Sequence, residues 1–376
     1  MAAENLRLIS RRAFCSCAAA ILLFVLPHPL RSEGKAAAAS ASPGRGGFII
    51  TPVVSYAPET LIAWGFAGIH YFQFGRSPLP TRLSHYRFNL IYTQKKQTIA
   101  QIDYELYLGG GKVLLNGQAK YSLYPDRFYG IGNRSAKESR EDFNARNWRL
   151  QLNAQRRWGE NIFTGLHLEV FTQNVIETET DGLLAVGNIP GSLGMRLSGI
   201  GLFGRWDSRD NTFSPSKGAY GAIFLNGFTK LLGSNYDFSQ MTIDGRKYFP
   251  LGRGSVLSVQ GVMKATWGES PFQTLPLVGG VSLLRGFYEG RLRDNCLLAL
   301  QTEYRLPVVW RIGLCAFAGV AQVQPELGLM SLKGFHGAGG IGVRYKFNSR
   351  ENLNIRLDVG FAEASPSFYL TFAEAF

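Results

Sequence analysis

Asn147-Trp148-Arg149-Leu150-Gln151-Leu152-Asn153-Ala154-Gln155 alternates polar and apolar residues without a break. Side chains of an extended strand point to opposite faces in turn. The stretch therefore sets Trp148, Leu150, Leu152 and Ala154 against Asn147, Arg149, Gln151, Asn153 and Gln155, and it reads as a strand, not a helix. The same period returns along the chain. Ile102, Tyr104, Leu106 and Leu108 share a face opposite Gln101, Asp103 and Glu105. Ile162, Leu166, Leu168 and Val170 oppose His167, Glu169 and Gln173, and Leu353, Ile355, Leu357 and Val359 oppose Asn354, Arg356 and Asp358.

Such strands repeat about sixteen times between residues 48 and 376, often for ten residues or more. The fifth to seventh read as 112–124, 143–157 and 161–174, the twelfth as 294–306 and the last as 367–376. A soluble sandwich gives the same alternation in shorter strands, so the amino terminus decides. Arg7, Arg11 and Arg12 precede an apolar run, Ala18 to Leu26, which stops at Pro27. Ala36-Ala37-Ala38-Ala39-Ser40-Ala41 then offers small residues for cleavage within 36–41. This is the pattern of a secretory leader over residues 1–39, and the run is short of the roughly 20 apolar residues a spanning helix needs. Residues 40–47 read as a short linker. Residues 48–376 read as an all-β, antiparallel transmembrane barrel, polar within and apolar outside.

The connections alternate in length, as they do in such barrels. Gly109-Gly110-Gly111, Trp158-Gly159-Glu160 and Pro250-Leu251-Gly252 make short turns, while 125–142, 175–194 and 269–293 make long loops at the other end. The 208–217 connection is long on the short side. Phe368, Leu370, Phe372 and Phe376 share one face of the last strand, which predicts a closing strand ending on an aromatic, the assembly signal of exported barrels.

The chain holds 44 Gly, 26 Phe and 16 Tyr and carries a net charge of +13. About +10 remains without the leader. Export excludes nucleic acid as the acidic partner and leaves outer-membrane lipid and lipopolysaccharide. The histidines are scattered, nothing has metal-ligand spacing, and no Gly-x-Ser-x-Gly precedes the barrel. The reading is therefore no enzyme, no metal and no cofactor. Cys15 and Cys17 leave with the leader. Cys296 and Cys315 fall on a hairpin centred near Val308 and Val309, which sets Cys296 opposite a residue near Ala321. Six positions along a strand, about 20 Å, then separate the thiols, beyond disulfide reach. Both are expected to be free.

The longest connection carries Leu277-Val-Gly-Gly-Val-Ser-Leu-Leu-Arg-Gly-Phe-Tyr-Glu-Gly-Arg-Leu-Arg-Asp-Asn295. Loops of this length are functional or disordered, and the aliphatic and aromatic anchors here argue for order. Five stretches now fall in one order: Tyr129-Gly130-Ile131-Gly132-Asn133; Asp207, Arg209, Asp210, Pro215 and Gly218 in the long turn; Gly279-Gly280 with Leu284-Arg285-Gly286-Phe287; Gln301-Thr302-Glu303-Tyr304-Arg305-Leu306-Pro307; and Phe376. Together they resemble the barrel half of the BamA/TamA-type outer-membrane assembly and translocation superfamily, also called the bacterial surface antigen family.

The resemblance implies that the sixth outer loop folds into the lumen. Arg285 then meets Glu303, which the alternation turns inward beside Gln301 and Arg305. An arginine held from water needs a carboxylate, and bidentate geometry rewards it. Gly286 allows close backbone approach, and Phe287 packs on the lumen wall. The family's second acid lies midway along the thirteenth strand, where this chain has Gly319, so Glu303 is expected to be the main anchor. Family members carry periplasmic POTRA domains, for which residues 40–47 leave no room.

The function implied is assistance to polypeptides or lipids entering or crossing the outer membrane, without nucleotide or cofactor, through a weak seam between first and last strands. Pro52, inside the first strand, cannot donate to a ladder and suits such a seam. Expected partners are unfolded outer-membrane proteins or a periplasmic protein, and the machinery that inserts the barrel itself. Two other readings fit the residues: a passive pore, in which Arg87, Arg149 and Arg344 would favour anions, or a structural surface barrel; and a membrane anchor for a separate periplasmic partner.

Overall fold

The computed structural model describes residues 47–57, 60–72, 84–348, 352–363 and 366–376. The leader, its cleavage site, most of the linker, Cys15 and Cys17 lie outside the described residues. Among the described residues sixteen strands form one antiparallel sheet in chain order. They are β1 Gly47–Ala57, β2 Leu61–Phe72, β3 Ser84–Thr93, β4 Thr98–Leu108, β5 Val113–Phe128, β6 Glu141–Trp158, β7 Ile162–Thr178 and β8 Met195–Asp207. The second half is β9 Gly218–Phe228, β10 Phe238–Pro250, β11 Val256–Gly268, β12 Cys296–Val309, β13 Ile312–Gln324, β14 His336–Asn348, β15 Leu353–Phe361 and β16 Ser367–Phe372. Loop 6, between β11 and β12, adds a small ribbon of its own, Leu277–Val278 against Leu292–Arg293.

The outward face is apolar because it meets lipid. Trp64, Trp148, Trp158, Trp206, Trp267 and Trp310 are all exposed. Trp64, Trp148 and Trp267 lie toward the loop end and Trp158, Trp206 and Trp310 toward the turn end, as the aromatic girdles of a membrane barrel do. Trp148 and Trp158 stand ten residues apart on β6. At about 3.3 Å per residue and a tilt near 40°, that spans roughly 25 Å, the height of an apolar band.

Strands β5 to β7 run past this band and past their expected ends. Beyond Trp148 the two faces of β6 exchange character. Outward residues become polar (Asp142, Asn144, Arg146), while inward Phe143 and Ala145 are buried with Phe128, Leu184, Phe272 and Leu275. Water has replaced lipid outside, and an apolar cluster has replaced the wet lumen inside. The projecting edge of β5 is blunted against further pairing. Pro125 offers no donor, its carbonyl accepts from Gln97 Nε2 at 3.0 Å, and the Arg127 amide is taken by Asp126 Oδ1 at 2.8 Å.

Two readings of register need correction. The β12–β13 hairpin turns at Trp310 (φ 49°) and carries a bulge between Pro307 and Val309. Cys296 therefore stands opposite Gln324 and Cys315 opposite Arg305, nine positions apart instead of six; both are buried and free. The last strand ends at Phe372, not at 376. Ala373 takes a left-handed conformation (φ 62°), and the Glu374 amide donates to the Phe213 carbonyl at 3.0 Å. Phe376 consequently leaves the Phe368–Leu370 face and is buried at the barrel mouth. The side chain of Phe372 lies outside the described residues.

The seam is thin. β1 pairs with β2 from Gly47↔Tyr71 to Ala57↔Leu61. Among the described residues β1 and β16 share one register pair, Tyr56↔Leu370, so the sheet comes round on itself without a continuous ladder. Pro52, opposite Phe66 on β2, lies four residues along β1 from that pair.

Candidate functional site

The inward residues of β12 are graded from loop end to turn end: Leu297, Ala299, Gln301, Glu303, Arg305. Each meets a different part of the plug. Leu297 and Ala299 join Val278, Leu284, Phe287 and Leu292 of loop 6, with Val262, Ala321 and Val323, in an apolar core inside the lumen. Gln301 accepts from the Leu284 amide at 3.1 Å and donates to the Ser282 carbonyl at 2.8 Å. Glu303 receives Arg285 Nη2, and Arg305 continues toward the turn end.

Arg285 is fully buried. Its Nη1 and Nη2 bind two carboxylates from opposite sides, Asp358 of β15 and Glu303 of β12, both sealed from water. The Phe317 ring covers the guanidinium face 3.6 Å from Cζ. Alternation turns Asp358 inward, but the fold alone brings it across the lumen. At Gly319, on β13, a Cβ would come within 2.8 Å of Gln301 Cβ and 2.9 Å of Leu284 Cδ1. Loop 6 fills with leucine the place where the resemblance expects an acid, and Glu303 is joined by Asp358 instead of serving alone.

Gly286 has φ 123° and touches β15: a Cβ there would lie 2.9 Å from the Phe361 carbonyl carbon and 3.0 Å from Ala362 Cβ. Its amide donates to Tyr369 Oη at 3.0 Å, and its carbonyl accepts from Ser367 Oγ at 3.0 Å. Phe287 meets His336 edge-on at 6.3 Å. Gly286→Ala is expected to lose about 1–3 kcal/mol, because backbone strain and contact act together. A lower urea unfolding midpoint of the purified barrel checks this, and an unchanged midpoint refutes it.

The charged cluster continues to the turn end. Arg305 Nε donates to Glu303 Oε1 at 2.7 Å, its Nη1 to the Pro215 carbonyl at 3.2 Å and its Nη2 to the Phe376 main-chain oxygen at 3.0 Å. Arg344 binds Asp358 at 2.5 Å and Glu374 at 2.7 Å, and Asn354 joins Glu374 (2.7 Å) to Ser214 (3.3 Å). Arg285, Glu303, Arg305, Glu374, Arg344 and Asp358 thus form a closed ring of ion pairs, its weakest side Arg305–Glu374 at 3.7 Å. The 208–217 turn is docked under this ring. Within it Arg209 grips Asp207 with two bonds of 2.8 Å, and Gly218 (φ 97°) approaches the Ser208 carbonyl too closely for a Cβ. Burial pushes the Asp210 carboxyl up, but the Ser216 hydroxyl and the Ser216 and Lys217 amides outweigh it and hold it below the usual carboxylate range.

The loop between β5 and β6 packs at the outer end. Asn133 Nδ2 donates to the Gly334 carbonyl at 2.7 Å and its Oδ1 accepts from the Val323 amide at 3.0 Å. The Gly132 amide donates to the Arg293 carbonyl at 2.8 Å. Of the basic residues expected to favour anions, Arg344 is spent in the ring and Arg149 pairs with Glu169 at 3.1 Å. Arg87 stands opposite Asp103.

This architecture defines an outer-membrane β-barrel whose lumen holds its own sixth loop. A model of the Omp85 superfamily domain matches residues 81–362, and the chain belongs to that superfamily. Among solved structures, BamA from Haemophilus ducreyi lacking POTRA domains 1–3 matches with TM-score 0.61 at 14% identity, over 88% of this chain and 70% of that one. CdiB from Acinetobacter baumannii matches with TM-score 0.54 at 12% identity (88% and 65%), and CdiB from Escherichia coli with 0.56 at 11% (86% and 62%). The chain thus spans less than two thirds of either CdiB. No curated protein sequence matches it.

Proposed function

We propose that this barrel helps polypeptides insert into or cross the outer membrane, without catalysis and without a cofactor. Membership of the Omp85 superfamily and likeness in fold to BamA and CdiB support the class of activity. The observation that carries the reading is the seam. Among the described residues β1 and β16 share one register pair, where β1 and β2 share eleven, and the first and last strands are where a client strand can pair. Substrates would be unfolded outer-membrane proteins or an exported partner, with lipid as solvent and neighbour.

The test is the folding rate of an unfolded outer-membrane protein into liposomes holding the barrel, its Arg285→Ala variant or no protein. Acceleration by the wild type is expected, and the variant should lose most of it. Equal rates in all three would remove the insertion reading.

A further inference from the structure

The acid that completes the Arg285 site lies on β15, next to the seam strand, and this changes what the loop holds. Asp358 and Tyr369 are cross-strand partners on β15 and β16. Consecutive residues of loop 6 take one each: Arg285 binds Asp358, and the Gly286 amide binds Tyr369 Oη at 3.0 Å. Tyr369 Oη also donates to the Phe287 carbonyl at 3.3 Å, and Ser367 Oγ to the Gly286 carbonyl at 3.0 Å. Arg356, on β15, spans the same joint, from Thr371 Oγ1 at 2.8 Å to the loop's Val281 carbonyl at 2.9 Å. Gly360 makes the contact possible, because a Cβ there would fall 2.7 Å from the Gly286 nitrogen.

Tyr369 is fully buried, and its neighbour in the chain is Leu370, whose register partner across the seam is Tyr56. From these observations, and resting on the proposed function, we infer that Asp358 and Tyr369 are positioning residues through which loop 6 holds the closing strand against β1. The seated loop sets the height and tilt of β16, so that Leu370 meets Tyr56. Withdrawal of the loop leaves β16 held by its pairing with β15 and with β1 alone, while β15 stays paired to β14. Loop seating and seam closure are then one equilibrium. A client that displaces the loop opens the seam, and a strand that enters the seam loosens the loop.

The test uses the mature barrel in liposomes with Tyr56→Cys and Leu370→Cys, and with Cys296 and Cys315 replaced by alanine. Directly opposed strand residues lie within disulfide reach, so oxidation rate reads seam closure. Tyr369→Phe keeps the ring and removes only the hydroxyl. It is expected to slow cross-linking about fivefold, the change that about 1 kcal/mol of lost hydrogen bonding corresponds to. Asp358→Asn is expected to slow it further. Ser367→Ala, which removes one exposed-side bond, gives a smaller loss and serves if either other variant does not fold.

A merely structural role would lower the unfolding midpoint and leave cross-linking of the folded fraction unchanged. That outcome, with protease cutting loop 6 faster in the same variants, overturns the inference. Client folding is not read here. A barrel whose seam follows loop 6 but accelerates no client overturns the proposed function alone, and one that accelerates clients with an indifferent seam overturns only this coupling.

Discussion

Arg285→Ala is expected to cost about 3 kcal/mol of barrel stability, the lower end of what breaking a buried ion pair does. The variant strands Glu303 and Asp358 in a site where neither touches water. The loss stays at the lower end because both acids keep other partners, Arg305 at 2.7 Å and Arg344 at 2.5 Å. Arg285→Lys should recover little of it. A guanidinium presents two nitrogens to carboxylates on opposite walls, whereas an ammonium is a single point of charge, and the face over Phe317 is lost as well. Urea unfolding followed by tryptophan fluorescence checks the magnitude, and loop 6 should become a protease target in both variants. A midpoint equal to that of the wild type would show that the apolar core of the loop, not the ion pairs, seats it.

Much of this was legible in the sequence, for a reason visible on β12. A strand alternates rigidly, so Gln301, Glu303 and Arg305 had to share the lumen face, and a loop arginine nearby had an obvious acid to meet. Asp358 was equally legible as an inward residue. What alternation cannot tell is which inward residues face each other across the lumen. β12 and β15 are not neighbours in the sheet, and only curvature brings Asp358 to the far side of Arg285. An inward acid on a strand whose own register partners are Gly342 and Tyr369 is the signal that could have pointed there. The longer β5, β6 and β7 were misread for a related reason. Polarity on each face exchanges at the membrane edge, which breaks the pattern without ending the strand. The inward turn at Ala373 was hidden because Phe376 keeps the parity of Phe368 and Leu370 by coincidence of spacing.

Gly319→Asp, which puts on β13 the acid that the resemblance leads one to expect there, is expected to weaken this barrel. The new Cβ alone would press to 2.9 Å from Leu284 Cδ1 and 2.8 Å from Gln301 Cβ. Overfilling a packed site in this way costs about 1–3 kcal/mol. The added carboxylate also has to give up its water to enter this buried space, which costs more than a surface charge does. Leu284→Ala alone empties a buried leucine site, at about 2–5 kcal/mol. If leucine has taken the place of the acid, the two changes must compensate. The double variant should lose at least about 1 kcal/mol less than the sum of the single losses, a coupling typical of residues that share one space. Simple additivity in urea unfolding would mean that Gly319 is silent and that Asp358 serves Arg285 independently of it. Compensation would mean that the loop and the wall exchanged partners together, a leucine moving into the gap on β13 as the arginine turned to the acid beside the seam.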